Sequence, residues 1–274
     1  MTRTAAALAM LCLLAGCHDA PPADPVPPHD TLTIPSVVLG EARVINVCLP
    51  PGYDGEAAFD VVYMPDGGVA EDFPHIANTL AALMAAGEIR PVILVGIENT
   101  VRRRDLTGPT EVATDREVAP VIGGSAAFRR FVADELIPTI EARYRCTADR
   151  TLVGESLAAW FIMETFFLEP DLFAGYIAIS PSLWWNDHAL VRQARARLAT
   201  WGDRRARLYL SVGNETDIGP YTDELAAILA DQAPAGLTWR YDPRKQERHS
   251  TIFRAAKAAG FRAVLAPAVP APGE

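Results

Sequence analysis

The sequence predicts an α/β protein: a mostly parallel central sheet that opens with an antiparallel hairpin and carries helices on both faces. Three observations lead there. Strand-like and helix-like runs alternate regularly along the chain, as they must when helices make the crossovers of a parallel sheet. PVILVGI, Pro91 to Ile97, is continuously apolar, the composition of a strand buried on both faces. The chain starts with a hairpin and has long loops at 99–124 and 181–188, which disfavours the even βα units of a barrel.

LTIPSVVL (Leu32 to Leu39) and ARVINVCL (Ala42 to Leu49) alternate in part and flank Gly40, which reads as a hairpin at a sheet edge. FDVVYM (Phe59 to Met64) is a strand ending in the turn PDGG (Pro65 to Gly68), followed by a helix from about Ala70 to Ala86. In Ala126 to Tyr144, Phe128, Phe131, Val132, Ile137, Ile140 and Tyr144 fall at helical spacing, with Ser125 as a cap and Pro138 as a source of a kink or bend. TLV (Thr151 to Val153), YIAIS (Tyr176 to Ser180), RLYLSV (Arg207 to Val212) and LTWRY (Leu237 to Tyr241) supply later strands. Helices are expected near 157–168, 187–200, 221–231 and 251–259. The sheet and its helices occupy 31–265, a single domain of about 235 residues.

The ends are different in kind. Residues 1–16 combine Arg3 with an apolar run from Ala5 to Ala15, the layout of a secretory signal and too short for a membrane span. LAGC, Leu14 to Cys17, resembles a bacterial lipobox, which implies an acylated Cys17 and a lipid membrane as partner. His18 is not the acidic residue that retains such proteins at the inner membrane, so the expected location is the bacterial cell envelope, lipid-anchored at the outer membrane and facing the periplasm. Cleavage a few residues later, as in an ordinary signal peptide, and retention as a transmembrane anchor are the alternatives. PPADPVPPHD (Pro21 to Asp30) is too proline-rich for helix or sheet and makes 17–30 a stiff tether. The tail 266–274 is expected to have no fold.

With 25 Lys+Arg against 34 Asp+Glu, the chain argues against nucleic acid as a partner. Cys12 lies in the signal and Cys17 at the lipidation site, leaving Cys48 and Cys146 as either a disulfide or two separate thiols. No metal-like cysteine spacing is present and no cofactor is expected.

TLVGESLAAW, Thr151 to Trp160, sets Gly154 two residues before Ser156 and Ala158 two after it, between a strand and a helix. Small residues at both places suit a sharp turn in which the new helix passes close to the strand. The match alone is weak, because a serine also starts helices without any chemistry. GNETD (Gly213 to Asp217) and ERHST (Glu247 to Thr251) then follow later strands, giving the order serine, acid, histidine. These would be delivered to one sheet edge by three successive strands. His249 would take the proton of Ser156, and a carboxylate would orient the imidazole. Glu215, nearer the strand end and longer, is preferred for that role, with Asp217 as the alternative acid. The oxyanion donors are expected from the N–H of Leu157 and from Gly67 or Gly68, with Asp66 holding their loop by a local side-chain bond.

VVYMPDG (Val61 to Gly67), VGIEN (Val95 to Asn99), RRRDLTGP (Arg102 to Pro109), GSAAFRRFVADELIP (Gly124 to Pro138), the TLVGESLAA elbow and ISPSLWWN (Ile179 to Asn186) together resemble the α/β-hydrolase-fold esterases that include the esterase D group. The likeness is particular to the bacterial trilactone-siderophore (enterobactin and salmochelin) esterases, and it covers nearly all of 32–262. The resemblance implies an α/β-hydrolase fold, a Ser156–His249 centre with an acid in 215–217, and hydrolysis of small-molecule carboxylic esters. The chain departs from the family at Glu155, where histidine is usual, and at Ala158, where glycine is usual.

Trp184 and Trp185 are candidates for an aromatic wall near Ser156, or else for core anchors of their loop. Arg102, Arg103 and Arg104 either recognise an anion, such as a ferric catecholate, or form a solvated loop or a contact with lipid headgroups. An acyltransferase of the same fold is the enzymatic alternative. A non-catalytic, lipid-anchored binding protein is the alternative from another class.

Overall fold

The computed structural model describes residues 24–118 and 120–267. The signal segment, Cys17 and the end of the tail lie outside the described residues. In chain order the elements are β1 (Asp30–Ser36), β2 (Glu41–Cys48), β3 (Phe59–Pro65), α1 (Phe73–Ala85), β4 (Val92–Ile97), α2 (Arg102–Asp105), α3 (Ala113–Val118), α4 (Ser125–Phe131), a π turn (Val132–Leu136), α5 (Ile137–Arg143), β5 (Cys146–Glu155), α6 (Leu157–Leu168), β6 (Gly175–Ile179), α7 (Trp185–Ala199), β7 (Ala206–Val212), α8 (Gly219–Gln232), β8 (Leu237–Pro243) and α9 (His249–Val264).

One sheet takes all the strands in the order β1-β2-β4-β3-β5-β6-β7-β8. β2 pairs antiparallel with both β1 and β4, and every later pairing is parallel. This is the α/β-hydrolase architecture. Side chains alternate across the pleat. Val61, Tyr63, Ile93 and Val95 therefore enter the core under α4 to α8, whereas Val62, Met64, Val92 and Leu94 enter the core under α1 and α9. Burial on both faces is the reason β4 reads as an unbroken apolar run.

The departures from expectation have local causes. β1 ends at Ser36 rather than Leu39, because the next backbone N–H groups, at Val37 and Val38, bond the Glu135 carboxylate, while Gly40, at φ 67°, closes the turn on Ser36 O. Ser125 is not a cap; it is the first residue of α4, and its buried hydroxyl makes no hydrogen bond. The long helix continues from Ser125 to Arg143, with its π turn immediately before Pro138. Proline cannot donate to the carbonyl one turn back and crowds it, and the wider turn absorbs that misfit. The strand placed at 151–153 is far longer, Cys146–Glu155. The last helix, expected near 251–259, runs from His249 to Val264.

Residues 24–29 do not form a free tether. Asp24 pairs with Arg254, Pro25 O accepts from Asn78 Nδ2, and the His29 ring packs edge-on against Phe73. Of the expected tether 17–30, residues 17–23 lie outside the described residues. Cys48 and Cys146 are free thiols. Two strands, β4 and β3, lie between theirs, a separation of roughly 14 Å, and the two side chains contact opposite cores. A disulfide needs Cα atoms within about 7 Å.

The arginine loop folds inward. Arg43 is fully buried and donates to Asp105, Thr100, Glu41 and the Glu98 carbonyl. Arg104 joins Glu41 to Asp105, and Arg102 grips the Asp66 carboxylate with two hydrogen bonds, 2.6 and 2.7 Å. Charges buried in this way are tolerable only because they are mutually paired.

Candidate active site

The elbow forms because β5 stops at Glu155 and α6 turns back over it at once. Ser156 carries the strain of that reversal, with φ 63° and ψ −121°, a region that side-chain-bearing residues seldom occupy. Its N–H bonds Ile179 O at the end of β6, and its carbonyl accepts from Ser182 and Trp160. A β-carbon at Gly154 would stand 2.7 Å from Ala158 Cβ. Glycine is therefore required on the strand side, whereas a methyl group is accommodated on the helix side.

Ser156, His249 and Glu215 come together. His249 Nε2 lies 3.0 Å from Ser156 Oγ, and Nδ1 lies 3.1 Å from Glu215 Oε1. The carboxylate fixes the tautomer: Nδ1 carries the proton and donates to Glu215, which leaves Nε2 to accept from the serine hydroxyl. His249 is the first residue of α9, several strands away from Ser156 across the sheet. It is drawn inward by a clasp between the loops after β7 and β8, where Asn214 N donates to Glu247 O at 2.9 Å. Gly213 permits the clasp, since a β-carbon there would meet Glu247 O at 2.6 Å.

Glu215 rather than Asp217 faces the histidine. Asp217 instead lines a neighbouring groove. Ser180, which the sequence did not single out, completes the geometry: its Oγ donates to Glu215 Oε1 at 2.6 Å. The three groups therefore do not come from successive strands; β6 intervenes and contributes its own hydroxyl. The available signal was positional, a serine directly after the strand between those of the nucleophile and the acid. Burial pushes the Glu215 carboxyl up, but the hydroxyl of Ser180, the local backbone and His249 outweigh it and hold the group below the ordinary glutamate value.

Glu155 is the second carboxyl at the centre, with Oε1 3.2 Å from His249 Nε2. Burial pushes it up to about 8; Arg102 opposes that rise, and Asp72, Asp66 and Glu215 add to it.

Of the three expected oxyanion donors, only Leu157 has its N–H unclaimed, as the first residue of α6. Gly67 donates to Ile97 O and Gly68 to the Glu71 carboxylate, at 2.9 and 2.7 Å. The Gly67 backbone lies so close to Gly96 that a β-carbon at Gly67 would fall 2.3 Å from Gly96 Cα, so this turn is held against β4. Nor does Asp66 make a local turn bond; its carboxylate is held by Asn99 and Arg102.

Trp184 and Trp185 have separate roles. Trp185 is a core anchor, fully buried, donating to Gly108 O at 3.1 Å and packed edge-on against Trp160. Trp184 lines an open groove of about 490 Å³ with Thr114, Asp115, Thr216, Asp217 and Tyr221, beginning one residue from Glu215. A larger cavity, about 820 Å³ around Arg205, Arg207 and Gly236, adjoins the starts of β7 and β8 and contains none of the catalytic candidates. Of the three adjacent arginines, Arg102 and Arg104 are committed to carboxylates. Among the other histidines, His75 braces α1 to α9 through Asp72 and Lys257, and His188 stacks on Tyr221. Among the described residues no cluster of His, Cys, Asp and Glu is arranged to hold a metal ion.

The model of the family described as "Putative esterase" matches residues 36–271. The chain belongs to that family. It is 34% identical over 116 residues to the ferri-bacillibactin esterase BesA of Bacillus subtilis, covering 38% of this chain and 40% of the relative. It is 30% identical over 176 residues to the siderophore triacetylfusarinine C esterase of Aspergillus fumigatus, covering 59% and 58%. The chain thus spans about half the length of these curated relatives. The crystal structure of an IroE-like serine hydrolase from Shewanella oneidensis superposes with a TM-score of 0.78 at 28% identity, covering 86% of this chain and 79% of that one.

Proposed function

We propose that this member of the esterase family is a serine hydrolase that cleaves carboxylic esters of small molecules through an acyl-enzyme, with siderophores, after which its relatives are named as esterases, as the substrate class. The observation that carries this reading is the continuous chain from Ser156 Oγ through His249 to Glu215 and Ser180. Ser156 attacks the ester carbonyl as Nε2 takes its proton, and the new alkoxide is received by the N–H of Leu157 at the positive end of α6. The imidazolium then protonates the departing alcohol. Neutral again, it removes a proton from water as the water attacks the acyl-enzyme, then returns that proton to Ser156 Oγ as the acyl–oxygen bond breaks and the acid leaves.

The test is covalent labelling by a fluorophosphonate combined with turnover of p-nitrophenyl acyl esters and trilactones. Labelling mapped to Ser156, together with ester turnover, is the expected outcome; bound ligand without labelling or turnover would indicate a binding protein instead. Turnover that requires an added alcohol or amine acceptor would indicate a transferase.

Lipid attachment at Cys17 is part of the same proposal, resting on the LAGC motif. The Cys17→Ala variant is expected to lose labelled palmitate and leave the membrane fraction. Labelling that persists would remove the anchor from the account.

A further inference from the structure

The structure assigns a charge filter to the active site: Glu155 and the carboxylates around it disfavour anionic esters and admit uncharged ones, so an uncharged chelate lactone is accepted over a triply anionic ferric catecholate. This inference rests on the ester-hydrolase reading and names the substrate class within it.

The argument begins with where the positive charge goes. Arg102 is the cation that acts on Glu155, and both of its hydrogen bonds to Asp66 are made along the guanidinium edge. Arg104 is held by Glu41 and Asp105. Neither presents a free fork to a bound anion, the geometry by which arginine recognises carboxylates and phosphates. Carboxyl groups cluster at the reacting atoms. Glu155 lies on β5 against His249 Nε2, Glu215 stands on the other side of the same imidazole, and Asp66 and Asp72 approach from the turn after β3 and the start of α1. Glu71 takes the N–H of Gly68. The groove continues this character, with Asp115 and Asp217 beside Trp184 and Tyr221. With Arg102 as the opposing charge at Glu155 and carboxyl groups outnumbering it, the excess negative charge repels an anionic ligand and slows its arrival, the more so at low salt.

Glu155 is the adjustable member of this set. Only 16% of its side chain is exposed, and Oε1 has no hydrogen-bond partner, since Nε2 is engaged by Ser156. Arg102, Asp66, Asp72, Glu215 and His249 are the charged and titratable groups that face it. Desolvation and the neighbouring acids keep it protonated to about pH 8. Below that pH it adds no charge beside the nucleophile, whereas above it a full negative charge lies next to the point where substrate and oxyanion must sit. Discrimination against anions therefore strengthens as the pH rises through about 8.

The experiment uses two esters with the same acyl group: the butyrate ester of 4-hydroxybenzoic acid, which is anionic, and that of methyl 4-hydroxybenzoate, which is not. The wild type is expected to prefer the uncharged ester in kcat/KM by roughly tenfold at low salt, with the ratio increasing several-fold from pH 7 to pH 9 and shrinking in high salt. Glu155→Gln, similar in shape but unable to ionise, should flatten the pH dependence of the ratio. A ratio near one in the wild type, or a pH dependence unchanged in the variant, overturns the filter. The pH and salt series on the wild type alone decides the question if the variant folds poorly. Failure to hydrolyse either ester would remove the hydrolase reading and the filter together; turnover of both without preference removes the filter only.

Discussion

Ester turnover by the Ser156→Ala variant is expected to fall by at least about a thousandfold in kcat/KM, with the thermal midpoint nearly unchanged. The large loss follows from geometry, because the hydroxyl is the atom facing His249 Nε2 at 3.0 Å and no other hydroxyl among the described residues is bonded to that nitrogen. Stability is expected to survive because the elbow is held by backbone hydrogen bonds at Ser156 N and O, which alanine keeps. The measurement is hydrolysis of p-nitrophenyl butyrate alongside a thermal unfolding curve. A variant that retains a tenth or more of the activity would mean that Ser156 is not the nucleophile.

The two acids of the loop after β7 should separate as sharply. Glu215→Gln is expected to reduce kcat by about a hundredfold or more, because the amide no longer fixes the tautomer or stabilises the imidazolium. Asp217→Asn should remain within a few-fold, since Asp217 lines the groove rather than the histidine. Ser180→Ala provides the pH signature. The Glu215 carboxyl is held low partly by that hydroxyl, and its ionised state is present above its folded pKa and lost as the pH falls through it. Removing the donor raises that pKa, so the acid limb of kcat/KM should move to higher pH while activity at neutral pH and above changes less. Equal losses at 215 and 217, or an unmoved acid limb in Ser180→Ala, would contradict the assignment of the carboxylate.

The pairing of Ser156 with His249 was legible because chemistry at an elbow needs a particular residue between small neighbours, and because α/β sheets collect groups at the carboxyl ends of their strands. The choice of acid was less legible. Glu215 and Asp217 differ little in a linear pattern, and the decision came from the clasp that Gly213 allows between Asn214 and Glu247. Three adjacent arginines in an acidic chain suggested an anion site. The partners of Arg102 and Arg104, Asp66 and Glu41, lie far back in the chain, and sequence carries no signal of such a pairing. The same holds for the donor groups: Gly67 and Gly68 have the freedom an oxyanion hole wants, but the acceptors that occupy them, Ile97 O and Glu71, are brought there by the fold.

By itself, then, the sequence determined the alternation of elements, the two-faced burial of β4, the sharp turn at Ser156 and the order of serine, acid and histidine, since each depends on local conformation or hydrophobic period. The tertiary structure alone decided which carboxylate meets His249, that Ser180 supports it, that Trp185 is buried while Trp184 lines the groove, and that Cys48 and Cys146 remain apart. Those are questions of distance between residues remote in the chain, and the sheet order and loop contacts that set such distances arise only when the whole core closes.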